Sequence, residues 1–175
     1  EADEIVIRPQ GTITVAGAFT TNQMSNRVWL VCGAMTVQEG GCIDVSGKGY
    51  IGVRNEHGQG PGRGVGITDG PGAGYGGKGG EGTKTNEGGV AYGMAAAPTD
   101  PGSSGAGSID SPGANGGGVV RIEAAGRVTM NGAIWADGST YDVSGSYRAA
   151  GGAGGSIFID CREFGGTAAG AVMRA

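Results

Sequence analysis

Glycine supplies 42 of the 175 residues, and this abundance limits what the chain can fold into more than any other feature. Soluble domains contain roughly 7% glycine on average. A helical protein is excluded, because glycine inside a helix costs about 1 kcal/mol relative to alanine. Collagen is excluded as well, since glycine does not recur strictly at every third position. The apolar residues make up 38% of the chain and are clustered, which is not typical of a disordered segment.

The charge and the residue counts argue against several classes of function. The net charge is -4 and the chain has no basic run, so nucleic acid is not an expected partner. No apolar stretch is long enough to predict a membrane span. A single histidine makes histidine-based metal sites and catalytic triads difficult to build. The chain begins at Glu1 without Met, which indicates a processed or excised segment.

Most β-branched residues lie in four short stretches that resemble one another. Each stretch is too short for a helix and rich in strand-forming residues. They share a Thr-x-x-Gly-Ala-apolar pattern that begins at Thr14, Thr129 and Thr167, and Thr36 begins a version that is two residues longer. A unit of roughly 20 residues therefore occurs four times, and repeats of this length predict stacked units.

The expected fold is all-β, a short right-handed parallel β-helix of about four rungs that is triangular in section. Backbone groups are expected to pair between rungs about 4.8 Å apart. Stacking should place apolar residues in two core columns, of which the first is Ile7, Leu30, Ile122 and Ile159 and the second is Phe19, Ile43, Ile134 and Val172. Glycine at the corners would adopt φ values that other residues avoid.

Two glycine-rich insertions interrupt the repeats of this single domain, at about 51–117 and 138–155. Within the first, glycine recurs at every second position from Gly58 to Gly66. A flexible linker is one interpretation. However, the insertion contains many apolar residues, which linkers seldom hold. We therefore favour ordered, polyproline-II-like strands that pair through backbone groups.

The order of several motifs resembles a known class of sequence. The segment 43–50 (IDVSGKGY) precedes a glycine-rich tract, then 97–103 (APTDPGS), then 116–122 (GGGVVRI). This order is similar to the secreted glycine-rich repeats of large surface and adhesin-like proteins of bacteria, archaea and some protists. The resemblance covers most of the chain. It implies an extracellular or cell-surface location and a structural or adhesive role, and it implies no catalytic residues and no cofactor.

The acidic residues, the histidine and the threonines each have a functional and a structural interpretation. Four aspartates lie near strand ends: Asp44, Asp137, Asp142 and Asp160. In a polysaccharide lyase, such carboxylates bind Ca²⁺ beside an Arg or Lys that acts as the base. Here the aspartates occupy different positions in their repeats, so they are not expected to stack in one column. We expect the side chains of these aspartates to be exposed to solvent. We also expect His57 to lie in an exposed loop. The four threonines of the repeats, Thr14, Thr36, Thr129 and Thr167, are predicted to form one column that stabilises the sheet. Alternatively, this column orders water at the surface, as in ice-binding solenoids.

The cysteines and the large aromatic residues have both structural and functional interpretations. Cys32 and Cys161 hold matching positions with one repeat between them, roughly 9–10 Å apart and beyond disulfide reach. We expect free thiols, with Cys42 as a small inward residue. Tyr50, Tyr75 and Tyr92 are possible ligand contacts that, with Trp29 and Trp135, would form a sugar-stacking face. Alternatively, the tryptophans cover the stack and the tyrosines fix the insertion.

The sequence therefore predicts a non-enzymatic extracellular protein, the subunit of a self-assembling filament, matrix or adhesin. Identical subunits are expected to join head to tail through the terminal repeats. One alternative is a carbohydrate-binding adhesin tip that recognises glycans through its glycine-rich loops. A second alternative is a β-helix polysaccharide lyase.

Overall fold

The computed structural model describes residues 2–22, 27–67, 70–82, 87–140 and 150–175, and every regular element among them is a β-strand. Over these ranges there is no helix that is long and apolar enough to span a membrane. Long and short strands alternate along the chain: β1 (Ala2–Ile7), β2 (Thr12–Ile13), β3 (Arg27–Val37), β4 (Cys42–Asp44), β5 (Val119–Met130), β6 (Ala133–Trp135), β7 (Ser156–Gly165) and β8 (Val172–Arg174).

The strands form two four-stranded sheets, and all pairs of neighbours are parallel. The long strands form one sheet in the order β1-β3-β5-β7, and the short strands form the other in the order β2-β4-β6-β8. Each repeat therefore contributes one strand to each sheet. Because a short turn joins the two strands of a repeat, both sheets begin at the first repeat and end at the fourth.

The expectation of an all-β chain is confirmed, but the predicted right-handed parallel β-helix is wrong. A triangular section needs a third sheet, whereas the strands of the described residues form only two. Beyond these sheets the described chain has isolated bridges, Phe19 with Tyr50 and Arg54 with Pro112. Residues 45–118 separate β4 from β5, so the chain does not wind directly from one repeat to the next. These residues contain no strand of either sheet among those that the structure describes, and their backbone groups pair with one another instead.

The hydrophobic core lies between the two sheets and is built mainly by their inner strands. Nine of its side chains are completely buried: Met35, Val37, Ile43, Val45, Val120, Ile122, Val128, Ile134 and Ala136. Burial of an aliphatic side chain of this size contributes about 1.5–3 kcal/mol. The side chains of the outer strands are largely exposed, and those of β8 are exposed throughout.

The first predicted column is only partly assembled. Leu30, Ile122 and Ile159 share one register position. Ile7 instead lies beside Val37. The turns explain this difference, because Gln10 and Gly40 both have a positive φ, at 65° and 78°, and occupy equivalent places after β1 and β3. The Gln10 N–H donates a 2.8 Å hydrogen bond to the Gly40 carbonyl oxygen, so the stacked turns align β1 with the second half of β3.

The second predicted column also differs from the observed register. Ile43 lies beside Ile134, as the repeat pattern indicates. Phe19 instead packs on Tyr50, with ring centroids 4.9 Å apart. Val172 lies beside Ala133, and Met173 occupies the position next to Ile134. The connection between β7 and β8 is longer than that between β5 and β6, which moves Val172 out of the column.

Backbone hydrogen bonds hold the glycine-rich segments together. The Gly49 N–H donates to the Gly116 carbonyl oxygen, and the Gly102 N–H donates to that of Gly117. The second insertion joins the same network, because the Ala153 N–H donates to the Ser103 carbonyl oxygen. The described parts of both insertions therefore pack against each other as ordered chain rather than as a linker.

Candidate functional site

The ends of the two sheets form the candidate functional site. β1 and β2 lie at one end, and β7 and β8 lie at the other. Within the described ranges each of these four strands pairs with a single neighbour. Their outer edges therefore present backbone N–H and C=O groups to which another strand can bind.

The β7–β8 end exposes apolar side chains that continue the buried core. Phe164 is 52% exposed and Met173 is 48% exposed. They border a cavity of about 240 Å³ together with Met130, Ala168 and Val172. We call this surface the distal face.

The distal face is the end of two apolar columns that begin at the opposite end of the molecule. One column runs through the long strands, and its members are Ile5, Met35, Val128 and Phe164. The other runs through the short strands, and its members are Ile13, Ile43, Ile134 and Met173. The inner members are completely buried, whereas the end members are not. We call the β1–β2 end, where Ile5 and Ile13 lie, the proximal face.

Asn131 fixes the connection that shapes the distal face. Its Oδ1 accepts hydrogen bonds from the N–H groups of Thr167, at 2.7 Å, and Ala168, at 3.2 Å. The Asn131 N–H in turn donates to the Val37 carbonyl oxygen. The loop between β7 and β8 is therefore tied to the turn of the preceding repeat, which places Met173 beside Ile134.

The three tyrosines predicted as ligand contacts lie in the glycine-rich segments, where their rings serve the packing. Tyr75 and Tyr92 meet edge to face with centroids 4.9 Å apart. The Tyr92 hydroxyl donates to the Pro101 carbonyl oxygen and accepts from Ser103 Oγ. Tyr75 Oη and Ser156 Oγ are also hydrogen-bonded. Tyr50 is buried.

Burial shifts the ionisation of these phenols. It raises the pKa of Tyr92 strongly, and repulsion from Tyr50, Tyr75 and Asp100 adds to the rise, while the Ser103 hydrogen bond opposes it. Burial also raises the pKa of Tyr75 and that of Tyr50. Tyr75 and Tyr92 line an open cavity of about 290 Å³ with Met94 and Pro98, whereas Tyr50 does not.

The two tryptophans do not join the tyrosines in one face. The Arg121 guanidinium lies between the rings of Trp29 and Phe158, at 5.5 Å and 5.0 Å from their centroids. These three residues share a register position on the outer face of the long-strand sheet. Trp135 belongs to the other sheet, between Asp44 and Arg174.

The acids and the histidine considered for catalysis stay apart. Asp44 Oδ1 accepts from the Ser46 N–H, and Asp137 forms an ion pair with Arg174. Asp160 on β7 lies beside Glu123 on β5, and Asp142 lies outside the described residues. His57 Nδ1 accepts a hydrogen bond from the Gly66 N–H at 2.9 Å. The part of the chain that the structure describes contains no group of three or more His, Cys, Asp or Glu able to hold a metal ion.

The cysteines occupy structural positions in the sheets. Cys32 and Cys161 share a register position with Ala124 between them, and burial raises the pKa of the Cys32 thiol. All three cysteines are free thiols, and Cys42 lies beside Ala133.

The predicted threonine column is reduced to one pair. Thr36 lies beside Thr129. Thr14 instead donates its hydroxyl to the Asp44 carbonyl oxygen, and Thr167 lies in the loop before β8.

Sequence reasoning missed Phe164 and Met173, which dominate the distal face. A usable signal was present in the turns. The spacing from glycine to isoleucine is the same in Gly11-Thr12-Ile13, Gly41-Cys42-Ile43 and Gly132-Ala133-Ile134. Aligning the repeats on these turns places Ile13 in the second column in place of Phe19.

Comparison with protein-family models, with curated proteins and with solved structures finds no match to this chain.

Proposed function

We propose that this chain is a building block of an extracellular structural assembly, a surface filament, matrix or adhesin, in which copies join through the ends of their sheets. One observation carries the proposal. At each end of the molecule both sheets finish in a parallel strand whose outer edge has no partner among the described residues, and the distal face adds the exposed side chains of Phe164 and Met173.

Physical arguments favour association at these ends. An open strand edge is a template for another strand, and neither β1 nor β7 contains a proline to block pairing. The two ends differ, so a contact between a distal and a proximal face leaves a free face on each side. Contacts of this head-to-tail kind produce filaments when they do not close into a ring.

The extracellular setting of the proposal is supported by the motif order alone. The segments 43–50, 97–103 and 116–122 resemble secreted glycine-rich repeats of surface proteins. Localisation of the tagged full-length protein by immunogold labelling tests this part separately. Labelling confined to the cell interior would contradict it.

The assembly is tested by light scattering and electron microscopy over a concentration series. We expect the average mass of the particles to rise with concentration and elongated particles to be visible. The variant Phe164→Glu places a charge on the distal face and should reduce assembly at least tenfold. Ile109→Glu is the matched control, because Ile109 is also exposed but lies in the glycine-rich segment. A wild-type chain that remains monomeric at every concentration contradicts the proposal.

A second candidate, glycan binding, rests on the cavity lined by Tyr75 and Tyr92. Sugars stack on aromatic rings, and this cavity of about 290 Å³ is open to solvent beside the exposed side chain of Met94. Screening of the wild type and Met94→Arg on a glycan array tests it, with Val65→Arg as control. Equal glycan binding by both variants, or none by the wild type, contradicts it.

A further inference from the structure

We infer that the partner at the distal face is a second copy of this chain bound in one defined register, with its β1 parallel to β7 and its β2 parallel to β8. This inference rests on the proposed function and specifies its contact. In this register Ala2 of the incoming copy lies beside Cys161, and its Ile13 lies beside Met173.

The spacing of the strands selects this register. Cys32 and Met35 of β3 are aligned with Ala124 and Val128 of β5, so β5 has one additional residue and forms a bulge there. The pairing of β5 with β7 shifts back between the same positions. In β7 the equivalent residues, Cys161 and Phe164, are again three apart.

β1 has the same spacing as β7. Its Ala2 and Ile5 are aligned with Cys32 and Met35, and they are also three residues apart. A β1 strand therefore fits the free edge of β7 without a bulge. The irregularity is confined to β5, inside the molecule, where it cannot disturb a contact between copies.

Both apolar columns continue across the contact in this register. Phe164 would pack against Ile5 of the incoming copy, and Met173 against its Ile13. Phe164 and Met173 are each about half exposed in a single copy, so the contact removes apolar surface at two places together. Removal of apolar surface from water is the dominant favourable contribution in most protein associations.

The charges at the contact fit the same register. Arg162 of β7 would lie beside Asp3 of the incoming copy, and both side chains are exposed in the single copy. Glu163 would lie beside the Glu4 carboxylate. The repulsion between these two is reduced because Glu163 already forms an ion pair with Arg127, with 3.5 Å between Nη1 and Oε2.

Disulfide trapping tests the register. In a Cys32→Ala, Cys42→Ala background Cys161 remains, and Ala2→Cys is added. Residues opposite each other on parallel strands lie about 4.8 Å apart, within the Cα range of a disulfide. Mild oxidation of assembled protein should give a ladder of linked chains beyond the dimer on a non-reducing gel.

The matched control replaces Ala2→Cys by Glu4→Cys in the same background. Its cysteine is two residues out of register and about 7–8 Å from Cys161, too far for efficient linkage. We expect at least tenfold less ladder at equal oxidation time. The background without an added cysteine can give dimers at most.

The possible outcomes separate the register from the proposed function. A ladder with Ala2→Cys and little with Glu4→Cys supports the inference. Elongated particles without that ladder, or with an equal ladder in both variants, overturn the register while the proposed assembly stands. Dimers linked only through Cys161 indicate a two-fold contact and overturn it too. Absence of both particles and ladder overturns the proposed function itself.

Discussion

At the residue scale, most glycines of this chain are required because they have no side chain, rather than for their φ angles. Among the described glycines only four have a positive φ: Gly40, Gly47, Gly60 and Gly93. Many others face backbone atoms of a neighbouring segment. A Cβ on Gly52 would overlap the Gly113 carbonyl, and a Cβ on Gly113 would overlap that of Gly105. The glycine-rich segments can therefore approach closely only where glycine is present.

The first prediction compares two glycines of the same insertion. Gly52→Ala should destabilise the protein by about 2 kcal/mol or more, because the added methyl group must displace a neighbouring backbone. Gly77→Ala is the control, since a Cβ there meets no atom within 4 Å. It should be neutral or stabilise by about 0.4–1 kcal/mol. Urea unfolding measures both, and equal stability of the variants would contradict the packing argument.

A second prediction concerns the half-buried Tyr92 phenol at alkaline pH. Its pKa is raised in the folded protein, so the folded state holds the proton more tightly than the unfolded state. The stabilisation is complete below the unfolded pKa of about 10 and is lost as the pH rises above it. Tyr92→Phe should cost about 1 kcal/mol at pH 8, through its lost hydrogen bonds.

The same variant does not ionise, so the difference from wild type should shrink at pH 11. Chemical denaturation at pH 8 and pH 11 measures this difference. Ser108→Ala serves as a control without a titrating group, because Ser108 is also buried and hydrogen-bonded. A difference that stays constant for Tyr92→Phe would show that the phenol titrates normally.

At the scale of elements, the position of a strand in its sheet decides what its apolar residues contribute. Ile134 of β6 and Met173 of β8 are neighbours in one column. Ile134 is completely buried, whereas Met173 is 48% exposed at the distal face. The inner strand therefore stabilises the single molecule, and the outer strand is available for association.

The third prediction separates these two roles. Ile134→Ala should destabilise the single molecule by about 2–5 kcal/mol, because it leaves a cavity in the core. Met173→Ala should cost less than about 1 kcal/mol of stability but should weaken assembly severalfold. Thermal unfolding at low concentration and light scattering at high concentration measure the two effects. Equal loss of stability in both variants would contradict the assignment.

The repeats allowed the four strand stretches and part of the register to be predicted, because matching letters become neighbours in a parallel sheet. Leu30, Ile122 and Ile159 are an example. Two features could not be read from the letters. Stacked turns at Gln10 and Gly40 override the motif alignment and move Ile7 beside Val37. The residues of the distal face could not be assigned either, because the longer connection between β7 and β8 places Met173 beside Ile134 in place of Val172.

At the scale of the whole molecule, the glycine-rich segments and the sheets form a continuous hydrogen-bonded body over the described residues. The Gly117 N–H donates to Ala153, while the Gly118 N–H donates to Val45, directly after β4. Two consecutive residues are therefore bonded to different parts of the molecule, Gly117 to a glycine-rich segment and Gly118 to the end of a sheet strand. Loss of either part should expose backbone groups of the other.

The fourth prediction follows from this continuity. Amide hydrogens of the segments at 49–52, 102–108 and 113–117 should exchange slowly, with protection close to that of β5, because their backbone groups are largely paired inside the molecule. Hydrogen exchange with mass spectrometry measures the protection. The stretch at 76–77, where a Cβ would meet open space, serves as a rapidly exchanging reference. Uniformly rapid exchange across 49–117 would contradict an ordered body.

The overlap that a Cβ would cause at Gly52, Gly113 and similar sites also bears on how such a sequence can change over generations. Every missense change at a glycine codon adds atoms, so these sites have no conservative replacement. A lineage that keeps this body must keep the glycines where segments touch, while the outward positions between them are free to diverge. Glycine spacing should therefore outlast all other sequence similarity among its descendants.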